Sequence, residues 1–151
     1  MSEDNRDKKV FGAIAGGLYV AVGLIQLFVG LGYGSWWTAA LLIPADAVGG
    51  MILILIGAVV LFGFKELSAG INEGVAYIYV GLMLALVFTT IHLLIMGADA
   101  LEAYVIQSED FLGWMPLDDM SPVIYLGVLP LMAAFAWKDK LSSRTLSKAG
   151  V

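Results

Sequence analysis

The sequence predicts an all-α integral membrane protein, a four-helix bundle assembled from two helical hairpins. Three observations carry that prediction. Hydrophobic residues fill 60% of the 151 positions and charged residues only 14%, against about 45–50% and about 25% in soluble domains. The apolar residues gather in four uncharged runs, near 10–33, 47–64, 74–98 and 122–137, on the scale needed to cross a hydrocarbon core of about 30 Å. Every basic residue falls outside those runs.

Taken in order, residues 1–9 (MSEDNRDKK) mix both charges without apolar periodicity and are expected to form a flexible tail. The first span follows. A secretory signal has an apolar region of about 7–15 residues before small residues at its cleavage site. This run is far longer, and Ala45-x-Ala47 comes well after it, so a retained helix is expected. Tyr33, Trp36 and Trp37 are aromatic anchors for the headgroup level. Pro44 then stops any helix, and Asp46 stands as N-cap of the second span, which Lys65 and Glu66 close.

A short polar linker, LSAGINEG, leads to the third span, and Asp99 to Tyr104 can extend that helix above the membrane. Residues 105–121 read as an acidic loop with its own tryptophan, Trp114. The fourth span is the shortest. Pro130 within it removes an amide donor and should kink the helix unless a neighbour satisfies the freed carbonyl. A basic tail, 139–151, ends the sequence, so residues 10–138 form one membrane domain.

The charges set an orientation. Arg6, Lys8, Lys9, Lys65, Lys138, Lys140, Arg144 and Lys148 lie in the two tails and the middle linker. With four spans those segments share one side. The opposite loops hold Asp46, Asp99, Glu102, Glu109, Asp110, Asp118 and Asp119 with no Lys or Arg. The positive-inside rule therefore places both termini in the cytoplasm of a cell membrane and the acidic loops outside.

An internal repeat is also expected. Gly16-x-x-Tyr19-x-x-Val22-Gly23-Leu24 matches Gly74-x-x-Tyr77-x-x-Val80-Gly81-Leu82, and Phe62-x-Phe64-Lys65-Glu66 matches Phe135-x-Trp137-Lys138-Asp139. The second register also aligns Asp46 with Asp119 and Gly57 with Pro130. Two hairpins pointing the same way would be a parallel repeat. Chance matching within the narrow alphabet of membrane helices is the alternative.

Gly12, Gly16, Tyr19, Gly23, Gln26 and Gly30 recur at spacings of four and three, forming one seam in which glycine admits a close neighbour. The third span carries Gly74, Tyr77, Gly81, Leu84, Phe88 and His92 in the same pattern. The two seams are expected to face each other. Gln26 is then a helix-to-helix hydrogen bonder. Asp46, Asp118 and Asp119 form an outer acidic face, read as an ordinary solvated one, the alternative being hard oxygen ligands for a cation from Asp118-Asp119 and Glu109-Asp110. Asp46 and Asp119 are read as helix caps, the alternative being a symmetric pair at a pore mouth.

His92, the single histidine, has several readings. It packs by sharing a proton with Thr89, Gln26 or a backbone carbonyl, or it relays or senses protons. Haem ligation would need a methionine or a second subunit, since a bis-histidine site is impossible within the chain. Asp99 shares its helix face but sits about 10 Å along the axis, too far to bind the same ion. No metal site is identified and no cofactor is expected.

The chain has no cysteine, so disulfides, thiolate metal sites and thiol nucleophiles are excluded. The P-loop, the G-x-S-x-G elbow and the H-E-x-x-H helix are all missing, which argues against enzyme chemistry. The basic residues suit weak attraction to anionic lipid and are too sparse for nucleic acid. The reading favoured is a non-catalytic accessory subunit of a larger membrane complex. The alternatives are a small oligomeric transporter or channel for protons, cations or a small neutral solute, and a haem- or quinone-linked redox subunit. Partners are the lipid bilayer and either another membrane protein or further copies of the chain.

Overall fold

A computed structural model describes residues 3–137, so the tail expected at 139–151 lies outside the described residues. Helices follow in order: α1 (Glu3–Phe28), α2 (Trp36–Ala40), α3 (Ala47–Ser68), α4 (Gly74–Leu101) and α5 (Pro122–Trp137). Among the described residues there is no strand. A π turn, Val29–Tyr33, extends α1 to Gly32, whose φ of 98° turns the chain out of the helix. A second, Glu102–Ile106, extends α4. α1, α3 and α4 are long and apolar enough to cross a membrane, and α5 is a shorter apolar helix.

The flexible tail expected at 1–9 is a helix from Glu3 onward. Packing explains this. Lys8 Nζ lies 5.9 Å from the ring centres of both Tyr79 and Trp137, and Lys9 Nζ 5.9 Å from that of Phe64. Aliphatic stems along apolar rings with the charge near their faces hold such a turn in place. Trp137 also meets Phe11 and Tyr79 edge-on, each at 5.4 Å.

The glycine contacts give the topology. A Cβ at Gly16 would sit 3.2 Å from Gly57 O, and one at Gly23 2.9 Å from Gly50 O, while Gly30 abuts Ala47. α1 and α3 are therefore antiparallel and touch backbone to backbone. A Cβ at Gly63 would lie 2.9 Å from Ile78 N, Gly74 abuts Gly63 O, and a Cβ at Gly81 would meet Val60 N at 3.3 Å. So α4 also runs antiparallel to α3, on another of its sides.

This corrects the expected seam. The glycines of the first and third spans do not face each other. Both pack on α3, and Gly12 alone reaches across to α4, at Ile78. The reason is legible in α3 itself. Gly50 and Gly57 are seven residues apart and share a face, whereas Gly63 is six further on, a rotation of about 240°. α3 thus offers a groove to a neighbour on each side and becomes the central helix.

α5 closes the bundle. Val123 and Leu126 join Tyr19, Leu53, Ile56 and Ala85 in one buried cluster, and Ala133 and Trp137 join Leu67, Ile78 and Leu82 in another. Along α5 the neighbours change from Thr89 to Tyr79 on α4 and from Tyr19 to Phe11 on α1. α5 is antiparallel to both, completing an up-down-up-down arrangement.

Pro130 is fully buried, and the helix breaks at Gly127. Without an N–H, Pro130 leaves the carbonyl of Leu126 without its helical partner. Tyr19 replaces it: its hydroxyl donates to Leu126 O at 2.9 Å from a side chain only 1% exposed. One turn earlier Thr89 Oγ1 donates to Val123 O at 2.9 Å.

Candidate functional site

The short fifth helix decides where polar groups collect. Val123 is level with Thr89, and α4 continues twelve residues beyond Thr89 to Leu101, about 18 Å at 1.5 Å per residue. Leu126 is level with Tyr19, and α1 continues nine residues to Phe28, about 14 Å. α5 begins four residues before Leu126, about 6 Å higher. Its first residue therefore lies about 8 Å below Phe28 and deeper still below Leu101. The chain must descend between the ends of its neighbours to start α5.

Around that step lie most of the polar residues singled out in the sequence. Gln26 is 1% exposed, and its Nε2 lies against Gly49, whose Cα also faces Asp46 Oδ2. A Cβ at Gly49 would stand 2.6 Å from that nitrogen, so glycine is what lets the amide and the carboxylate approach. Gln26 Oε1 has no hydrogen-bond partner among the described residues. Asp46 caps α3, its Oδ1 accepting from Gly49 N at 3.0 Å, an N-terminal position that suits a carboxylate.

Asp119, aligned with Asp46 by the proposed repeat, is not the cap of α5. Ser121 occupies the N-cap position with Pro122 at the first turn. Asp119 instead turns away and accepts from Trp114 Nε1 at 3.0 Å. Ser121 is 6% exposed, and its Oγ also has no partner among the described residues. Asp118 Oδ2 accepts from Met115 N at 2.8 Å and folds the loop locally.

Asp99, in the last turn of α4, stands close enough to Asp119 for its charge to act on that carboxyl. Lost hydration first, then the neighbouring charge of Asp99, pushes the Asp119 carboxyl above its ordinary range, while the Trp114 hydrogen bond pulls it back.

His92 is half-buried, and Nδ1–H donates to Phe88 O at 2.9 Å. Of the partners considered for it, the backbone carbonyl is the one used, within its own helix. Thr89 serves α5 instead. His92, Gln26 and Asp99 thus make three separate arrangements rather than one cluster, and no group of three or more potential ligands capable of holding a metal occurs among the described residues.

The proposed repeat does not repeat its contacts. Gly74 and Gly81 pack on α3, as Gly16 and Gly23 do, rather than on α5. Tyr19 is buried and bonded to Leu126, whereas its counterpart Tyr77 is 40% exposed and lies edge-on to Phe62.

Sequence reasoning missed Gly49, Gly50, Gly57 and Gly63 as the receiving side of the seams, and Ser121 as the residue at the N-cap position of α5. It placed Tyr19 in a seam without its role. The signal for that role is arithmetic: the carbonyl freed by a proline is four residues before it, and a buried tyrosine hydroxyl needs an acceptor.

The family model described as "MJ0565 integral membrane domain" matches residues 3–139. No curated protein and no solved structure matches the chain.

Proposed function

The chain belongs to the family of the MJ0565 integral membrane domain, and we propose that this small helical membrane protein is a non-catalytic accessory subunit that packs into a larger membrane assembly. The observation that carries the reading is the closed interior. Leu53, Ile56, Val60 and Ile78 are fully buried at the centre, and the backbones of α1, α3 and α4 touch at their glycines. The hydroxyls of Tyr19 and Thr89 are spent on backbone carbonyls, those of Leu126 and Val123. Such a core favours packing over passage, because a permeant polar solute needs a continuous polar lining.

We further infer that both termini face the cytoplasm. Arg6, Lys8, Lys9 and Lys65 stand at one end of the bundle, with the carboxylates of Asp46, Asp99 and Asp119 at the other, which supports the positive-inside assignment.

Purification from the native membrane in a mild detergent tests the first proposal. A stoichiometric membrane-protein partner is expected, and isolation of the chain alone overturns it. Solute flux in vesicles containing only this protein would favour the transporter reading, for which the polar acidic end is the supporting observation. Because the sequence has no cysteine, Asn72→Cys and Ser108→Cys test the orientation. An impermeant maleimide added to intact cells should label only the second.

A further inference from the structure

We propose that the segment from Val105 to Leu117 is not a water-facing loop but an interfacial element that docks on the outer leaflet, its partner being the headgroup region of neutral, zwitterionic lipid. Three observations lead there.

The first is exposure. Val105 is 71% exposed, Leu112 78% and Leu117 57%, with Ile106 and Met115 exposed beside them. Val105 and Ile106 end the apolar helix that continues α4, and Leu112, Met115 and Leu117 lie beyond it, where in water they would be unpartnered apolar side chains on a segment rich in carboxylates.

The second is backbone satisfaction. The segment binds its own amides in successive turns: Ser108 N to Glu102 O, Phe111 N to Ser108 O, Leu112 N to Glu109 O, Trp114 N to Phe111 O and Asp118 N to Met115 O. Met115 N goes to Asp118 Oδ2. Irregular backbone leaves bulk water readily only when its polar groups are already paired.

The third is continuity with the lipid-facing surface. Tyr104 stacks edge-on against Trp114 at 5.8 Å, and its hydroxyl reaches Trp114 O at 3.5 Å, folding the segment back on the top of α4. From there the chain must descend to α5, which begins about 16 Å below Leu101. Exposed apolar side chains on α4, Leu94 and Leu101 among them, lead up to the segment.

Charge selects the lipid. Glu102, Glu109, Asp110, Asp118 and Asp119 surround the patch with no Lys or Arg between residues 66 and 137, so anionic headgroups are repelled and choline-type headgroups are accommodated.

Single cysteines at Leu112, Leu117 and Asp110 in the full chain, spin-labelled in phosphatidylcholine vesicles, test this. Met83→Cys, on the exposed side of mid-α4, is the lipid reference. Labels at Leu112 and Leu117 should collide with oxygen, which concentrates in lipid, at least threefold more than with a water-soluble nickel chelate. The label at Asp110 should show the reverse. Nickel-dominated collisions at both leucine positions would return the segment to water and overturn the proposal. Poor access of either reagent to both positions would do so too, by indicating cover from a second copy of the chain.

Discussion

Where α1 meets α3 the backbones touch, and where α5 meets α1 and α4 hydroxyls reach across to carbonyls. The first contact is made by leaving side chains out. Gly16, Gly23 and Gly30 lie against Gly57, Gly50 and Ala47, and dispersion over a long close approach holds the pair. The second is made by adding polar atoms, Tyr19 to Leu126 and Thr89 to Val123. Within lipid there is little hydrophobic drive between helices, so a contact needs one device or the other. A straight helix with a glycine groove uses the first. A short helix broken at Gly127 and Pro130 cannot present a regular groove, and uses the second.

The largest expected effect breaks the glycine device. A Cβ at Gly50 would lie 2.5 Å from Leu27 N and 2.8 Å from Gly23 O, backbone atoms that cannot rotate away. Gly50→Val should therefore destabilise the protein by about 3 kcal/mol or more, read as a loss of thermal stability in detergent. Gly17 is the matched control, since nothing lies within 4 Å of its Cβ position. Gly17→Val leaving the melting temperature unchanged while Gly50→Val lowers it would sharpen the comparison. Equal effects would break it.

The next effect tests the hydroxyl device through its cause. Tyr19→Phe keeps the ring and strands Leu126 O, a loss of about 1–3 kcal/mol. Pro130→Ala restores an N–H to that carbonyl, so Tyr19→Phe should matter much less in its presence. The double-mutant cycle reads the coupling directly. Additive losses would mean that Tyr19 acts by packing alone. Thr89→Val is expected to lose less, about 0.6–1.7 kcal/mol, because the Val123 carbonyl also accepts from Gly127 N, and Thr89→Ser should recover most of it.

The contrast between the two devices also marks what could be read from the sequence. The four apolar helices and their order, and the separation of basic from acidic ends, follow from runs of uncharged residues and need no tertiary knowledge. The glycine seam of α1 was legible as a seam because the three–four spacing is a property of one helix. Its partner was misread because pairing depends on which helix offers a receiving groove, and α3 does so on two sides through Gly57 and Gly63. The polar step was not legible because it arises from a difference in helix depth. Only the bonds to Val123 and Leu126 show that α5 starts below its neighbours. That depth is also why Asp119, at a register equivalent to Asp46, bonds to Trp114 rather than capping a helix.

The smallest effect concerns that pair, which belongs to neither device. Asp119 has its carboxyl raised from an ordinary value of 3.8, chiefly by lost hydration and then by Asp99. The folded loop therefore holds a proton that the unfolded chain has released, and stability falls as pH rises from that value through the folded one. The sign is opposite to that of a salt-bridged carboxylate. Trp114, bonded to Asp119 at 3.0 Å, reports the change. In a variant retaining Trp114 as its sole tryptophan, emission should shift to longer wavelength as pH rises from about 4 towards neutrality. Asp99→Asn removes the neighbouring charge, so it should flatten the shift while leaving the acid-limit spectrum unchanged. A shift of equal size in Asp99→Asn would separate Asp119 from Asp99 and leave burial, with the smaller effect of Asp118, to account for the raised carboxyl.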